Sequence, residues 1–160
     1  MINVRRADKA DLPKLGKMGA ALARLHYDWD PKRFMLSDDM ESGYRWWLGK
    51  ELHNASAIVL AGELDGEVLG YAYGRLEERD WNALLDAHGG FHDIWVDEPA
   101  RKTGLGRQLA EGLIEAFAQL GAPRVVLKTS THNVAAQKLF TSLGWRPTML
   151  EMTREVATRS

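Results

Sequence analysis

Residues 91 to 129 constrain the fold more than any other stretch, because they read as a strand, a helix and a second strand in direct succession. "FHDIWV" is β-rich and ends before Pro99. The repeat Leu105, Leu109, Leu113, Phe117, Leu120 has helical spacing and is closed by Gly121 and Pro123, the order expected of a helix C-terminus. "RVVLKTS" follows as the second strand. Such a crossover unit makes its two strands parallel and its connection right-handed. Upstream, "ASAIVLAGELDGEVLGYAYGRLEER" carries two β-rich runs joined at Asp65-Gly66, the strongest short-range hairpin signal. Antiparallel strands near 56 to 63 and 67 to 77 follow, so the sheet is mixed.

The remaining elements are read around this centre. Residues 2 to 6 form a short strand, and Leu12, Leu15, Met18, Leu22 and Leu25 mark a helix behind it. A second helix is predicted around 38 to 52, within an irregular stretch rich in rings and acids, and 79 to 90 is read as a loop. Asn133 caps a helix through Ala136, Leu139, Phe140 and Leu143 to Gly144, and a last strand is expected over about 147 to 155. The fold class is α/β (α+β), a mixed sheet flanked by helices. With no repeat, linker or low-complexity tract, residues 1–160 are expected to form a single domain.

Composition removes several functions. A 160-residue chain with 45% apolar residues can bury one core. Its 21 Lys and Arg against 22 Asp and Glu give no broad positive field, so nucleic acid is not an expected partner. There is no cysteine, and the five histidines are scattered, so thiol chemistry and a metal site are not expected. The start is charged where a signal peptide would be apolar, and no apolar run approaches the ~20 residues of a membrane span. A soluble, cytoplasmic protein is expected, with no membrane partner.

"ARKTGLGRQLAEGLIEAF" places Gly104 and Gly106 at the mouth of the central helix, among Arg101, Lys102 and Arg107. A helix N-terminus has free N–H groups and a positive dipole end, and glycine lets backbone approach a ligand closely. A pyrophosphate fits such a turn. The dinucleotide fingerprint would need glycine at Leu109, and the P-loop would need Lys-Ser/Thr where Arg107-Gln108 stands. Taken alone, the stretch is equally well read as an ordinary strand-to-helix turn with solvated basic side chains.

"IWVDEPARKTGLGRQL", followed about thirty residues later by "NVAAQKLFTSLGW", resembles the acetyl-CoA-binding half of the GNAT superfamily of N-acetyltransferases. The R-x-x-G-x-G turn and the N-x-x-A-x-x-L-F-x-x-x-G-W helix carry the resemblance, which covers about 56 to 146. It implies a splayed sheet in which the pantetheine arm of acetyl-CoA, the co-substrate, lies along Ile94, Trp95 and Val96 as a peptide augments a sheet edge. It also implies that Arg101, Lys102, Thr103, Gly104, Leu105, Gly106 and Arg107 cradle the pyrophosphate. Asn133 would hydrogen-bond the arm, Phe140 would sit beside it, and a homodimer would be the usual assembly.

The chemistry implied is direct attack of an amine on acetyl-CoA within a ternary complex. A lysine-like amine has a pKa of about 10.4, so some group must take its proton. Asp93 is the first candidate and His92 the second, with Glu77 and Glu78 behind them. Strand alternation is expected to put Asp93 and His92 on opposite faces. Asp93 is read either as the base or as an anchor for a cationic acceptor. Val96 or a neighbour would supply the oxyanion N–H. Where many members have a tyrosine that protonates the leaving thiolate, this chain has Phe140, leaving water, Ser142, Thr141 or an unprotonated thiolate. Phe140 also motivates the alternative of a non-catalytic acyl-CoA-binding or sensor domain. The acceptor, a small-molecule amine or a peptide, is expected between the N-terminal segment and the 79 to 92 loop. Tyr27, Trp29, Phe34, Trp46, Trp47 and Trp81 gather there with Asp28, Asp30, Asp38, Asp39 and Glu41, although these read equally as core rings and a solvated acidic face. His132 is expected to be a solvated loop residue.

Overall fold

In the computed structural model, which describes residues 1–159, the predicted hairpin and crossover share one five-stranded sheet in the order β1-β2-β3-β4-β5. The strands are β1 (Ile2–Arg6), β2 (Ala57–Leu64), β3 (Glu67–Glu77), β4 (His88–Val96) and β5 (Val125–Leu127). The helices are α1 (Leu12–Trp29), α2 (Met40–Glu51), α3 (Leu105–Gln119) and α4 (Val134–Ser142). All neighbouring strands are antiparallel except β4 and β5, which the α3 crossover makes parallel. The β2–β3 turn has Asp65 at φ 51° and Gly66 at φ 84°, the left-handed pair that a tight hairpin requires.

Each face of the sheet has its own core. On one side Leu105, Leu109, Leu113 and Phe117 of α3 and Phe140 of α4 pack on Ile58, Leu60, Ala72 and Phe91. On the other, Leu15 and Met18 of α1 and Leu48 of α2 pack on Val59, Ala61, Tyr71 and Tyr73. Strand alternation therefore assigns each β3 residue to a face, which fixes what surrounds the site.

Three predicted elements differ. β4 begins at His88, inside the stretch read as a loop, because Gly89 is there for space: a Cβ on it would lie 2.7 Å from Cδ1 of Phe117. β5 is only three residues long. The strand expected over 147 to 155 does not form; the segment is exposed and without regular structure. A sheet strand needs a neighbour for its N–H and C=O groups, and the single chain offers this segment none.

Candidate active site

β5 pairs with β4 only at Gly89, Gly90 and Phe91. Beyond Phe91 the two strands part, and the edge of β4 from His92 to Val96 faces a wedge instead of a neighbour. The backbone hydrogen-bonding direction there follows from the ladder. Asp97 N–H donates to the Leu69 carbonyl at 2.7 Å, so alternation turns the N–H and C=O of Ile94 and Val96 into the wedge and those of Trp95 toward β3. Trp95 contributes its indole to the opposite side, where its Nε1 donates to Asp97 at 2.8 Å. A cavity of about 50 Å³ lies in the wedge, lined by Leu22 and His26 of α1, His92 and Ile94 of β4, and Asn133 and Phe140 at α4.

The glycine turn closes the Val96 end. A Cβ on Gly106 would stand 3.6 Å from Val96 Cγ2 and 3.9 Å from Leu139 Cδ2, ordinary contacts that leave the backbone uncovered. Gly104 has φ 96°, which glycine alone adopts without strain. The first backbone bond of α3 runs from Gln108 N–H to the Gly104 carbonyl at 3.1 Å. Among the described residues, the N–H groups of Lys102, Thr103, Gly104, Gly106 and Arg107 donate to no backbone carbonyl, and Leu105 N–H has only a long contact to Thr103 Oγ1 at 3.4 Å. Five free donors at a helix start suit a pyrophosphate. Around them Arg107 donates to Ser142 Oγ at 2.7 Å, while Arg101 Nε donates to the Val96 carbonyl at 3.1 Å, a group the coenzyme arm would have to compete for.

Asp93 and His92 are on the same face, contrary to simple alternation. The β3–β4 ladder pairs Tyr73 with Asp93 and then Gly74 with Phe91, so His92 is the extra residue of a β-bulge. Its ring packs on Tyr73 at 5.7 Å, and Asp93 accepts from the Tyr71 hydroxyl at 3.0 Å; the two tyrosines are two residues apart on β3 and so share a face. Burial lifts the Asp93 carboxyl above the usual carboxylate range, against the pull of the Tyr71 hydroxyl and of His92 and His26 nearby. Burial likewise raises Tyr71 well above an ordinary phenol, and Tyr44, also close to Asp93, to about 12.

His92 is more open. Its Nε2 lies 2.8 Å from Glu77 Oε1, and since a carboxylate only accepts, Nε2 carries the proton and Nδ1 is left to accept one. Glu77 thus holds the imidazole, while Glu78 makes no hydrogen bond among the described residues. At α4, Asn133 Oδ1 accepts from Ala136 N–H at 3.1 Å as the helix cap, leaving its amide NH₂ free. Phe140 is 6% exposed and meets Phe91 and Trp145 edge-on, each at 5.4 Å. Ser142 is committed, its hydroxyl donating to the Leu139 carbonyl at 2.6 Å.

The aromatic and acidic stretch does not gather as one pocket. Trp46 and Trp81 are exposed beneath Lys50 and Arg79, and Asp39 caps α2. Trp29 and Phe34 flank His26, and Trp29 stacks on His132, which is an exposed turn residue, as expected. His26, which sequence reasoning passed over, lies on the wedge with Nδ1 bonded to the Leu22 carbonyl at 2.8 Å. Its signal was positional: it follows Leu22 by four residues on the buried stripe of α1. Tyr71 was missed because its role depends on the β3–β4 register. No group of three metal-ligating side chains, and no helix long and apolar enough to cross a membrane, occurs among the described residues.

Known proteins share this fold. The chain is 33% identical over 101 residues to an L-methionine sulfoximine/L-methionine sulfone acetyltransferase of Pseudomonas paraeruginosa, a match that spans 62% of this chain and only 56% of that relative. A tetramutant of the BH1408 protein from Bacillus halodurans superposes with TM-score 0.82 at 17% identity, covering 96% of this chain and 99% of that one. A predicted acetyltransferase with acetyl-CoA from Clostridium acetobutylicum superposes with TM-score 0.73 at 14% identity, covering 96% of each. These two likenesses establish the fold. The model of the acetyltransferase (GNAT) family matches residues 21–145, from the third turn of α1 through both halves of the wedge, and the chain belongs to that family.

Proposed function

We propose that the chain is an acetyl-CoA-dependent N-acetyltransferase that moves an acetyl group to a primary amine of a small molecule or peptide by direct attack in a ternary complex. The observation that carries this is the wedge, with free helix-start amides at one end and the Asp93–His92 pair on the strand beside it. In this reading Lys102 to Arg107 hold the pyrophosphate, the inward backbone of Ile94 and Val96 pairs with the pantetheine arm, and the Asn133 amide donates to it. The amine nitrogen attacks the thioester carbonyl carbon, and the oxygen that gains charge is met by a β4 N–H. His92 or Asp93 takes the amine proton. The C–S bond then breaks, and the thiolate, whose thiol pKa is about 8.5, leaves without a side-chain donor at Phe140. The whole chain acts as one catalytic domain within a homodimer.

The L-methionine sulfoximine acetyltransferase similarity favours a compact amine bearing other polar groups, in keeping with an acceptor mouth built from His92, Glu77 and Tyr73. The test is release of free thiol from acetyl-CoA across amino acids, polyamines, aminoglycosides and peptides. Turnover with one class supports the enzyme. Tight acetyl-CoA binding with no release for any amine would favour the sensor domain, which the absence of a hydroxyl at Phe140 otherwise motivates.

A further inference from the structure

Glu51 is a buried carboxylate with no part in the proposed transfer. It is 3% exposed and is the last residue of α2, where the negative end of the helix dipole opposes an anion. Taking a carboxylate out of water is costly as well, and an apolar side chain of similar volume would often serve packing as well or better. Its partners lead toward β4. Glu51 Oε2 accepts from the Tyr73 hydroxyl at 2.6 Å, and Oε1 accepts from Asn54 Nδ2 at 3.3 Å. The buried Tyr73 ring is the one packed on His92. Between Glu51 and Glu77 lies Arg75. Its Nη1 is 3.7 Å from Glu51 Oε2 and its Nε 3.8 Å from Glu77 Oε1, ion-pair distances too long for hydrogen bonds. That Nε is the one buried side-chain nitrogen or oxygen among the described residues without a hydrogen-bond partner. Glu77 Oε1 is therefore contested, because the oxygen nearest Arg75 is the same one that bonds His92 Nε2 at 2.8 Å. Gly90 makes room for the histidine: a Cβ there would stand 2.9 Å from both Glu77 Cγ and His92 Nε2. A buried guanidinium N–H left unpaired is costly, and its bond to a carboxylate is a strong one, so Arg75 would take Oε1 unless another anion drew it back. Among the described residues, Glu51 is the other carboxylate within ion-pair reach of Arg75.

We propose that Glu51 is a positioning residue for acetyl transfer. By sharing Arg75 with Glu77 and fixing the Tyr73 ring, it leaves Glu77 to hold His92 at Nε2, with Nδ1 ready to take the amine proton. The proposal rests on the acetyltransferase reading above, with His92 as the group that takes the proton. It makes the base depend on the end of α2, a helix that supplies no group to the reaction.

Glu51→Gln keeps the shape and an acceptor for the Tyr73 hydroxyl but loses the charge that draws Arg75. Its crystal structure should show Arg75 Nε within hydrogen-bond distance of Glu77 Oε1 and His92 Nε2 released from it. Its kcat/KM for the amine should fall at least about tenfold, while acetyl-CoA affinity by calorimetry stays that of wild type. Removing the competitor too, in Glu51→Gln with Arg75→Met, should restore the Glu77–His92 bond and most of the lost rate, which a purely structural carboxylate could not do. Arg75→Met alone should keep the bond, and it decides the case should Glu51→Gln not fold. A bond and rate that survive Glu51→Gln, a lost bond with an unchanged rate, a double variant no better than Glu51→Gln, or an Arg75→Met protein without the bond would each overturn the proposal. The crystal structures read the linkage whether or not an amine is turned over. A wild type that releases no thiol, with the bond responding as stated, would overturn the acetyltransferase reading and leave the hold of Glu51 on His92 standing.

Discussion

Asp93 sits where its neutral form is preferred, and that preference has a thermodynamic consequence separate from catalysis. A carboxyl whose folded pKa is raised above its unfolded value, about 3.9, contributes stability that is fully present below the unfolded value. That contribution is lost as pH rises through the folded value. Asp93→Asn keeps an acceptor for the Tyr71 hydroxyl and cannot ionise, so its melting temperature should exceed that of wild type at pH 7. The gap should close as the buffer is acidified toward the ordinary carboxylate range. If Asp93 is also the base, the same variant should lose about 10²–10⁴-fold in kcat/KM for the amine. A rise of rate with pH that persists in Asp93→Asn and vanishes in His92→Gln would assign the proton to His92. Phe140 poses the complementary question on the leaving-group side. Phe140→Tyr should change kcat by less than about tenfold, equivalent to ~1.4 kcal/mol, if the thiolate departs unassisted. Phe140→Ala should cost roughly 3 kcal/mol or more in denaturant unfolding, because the ring is 6% exposed within a trio of aromatics.

The start of α3 is the element on which the coenzyme assignment turns, and its two glycines make separable demands. At Gly106 the backbone is helical and an added Cβ meets only ordinary contacts, so Gly106→Val should fold normally. Its methyl groups would stand over the free amides, and calorimetry should show acetyl-CoA binding weakened by at least about tenfold, ~1.4 kcal/mol. Gly104→Val must also adopt φ 96°, costing about 1–2 kcal/mol, so it should lose thermal stability as well as affinity. Unchanged affinity in a folded Gly106→Val protein would remove the turn from the site. This element was legible in the sequence because its signals are local: the leucine repeat, Gly121 with Pro123, and the glycines at the mouth. The hairpin at Asp65-Gly66 was legible for the same reason. What escaped was set by tertiary register. The bulge that brings His92 beside Asp93 arises where β3 and β4 fall out of step, and Gly89 is determined by the Phe117 ring arriving from α3, 28 positions away. The strand pattern at 147 to 155 was read from composition alone, which records what a segment can pair with and not whether its own chain supplies the partner.

At the scale of the whole molecule the wedge is a fault line. α1 covers one face of the sheet and α3 with α4 the other, and beyond Phe91 no β-ladder joins β4 to β5. A ligand lying in that gap would touch β4, the start of α3 and the start of α4 together, adding contacts that exist only in the folded state. Binding to the folded state alone stabilises it by RT ln(1 + [L]/Kd), about 2.7 kcal/mol at a hundredfold excess over Kd. For a chain of this size each kcal/mol moves the midpoint by about 2–4 °C, so acetyl-CoA at that excess should raise the melting temperature by roughly 5–11 °C. Free coenzyme A should give most of the same shift, because the pyrophosphate and pantetheine contacts do not involve the acetyl group. Gly106→Val, binding at least about tenfold more weakly, should show no more than about half of it at the same concentration. An amine acceptor alone, touching only the His92 side of the wedge, should move the midpoint far less. Differential scanning fluorimetry resolves these cases, and a shift with acceptor but none with either coenzyme would mean that the wedge does not hold the coenzyme.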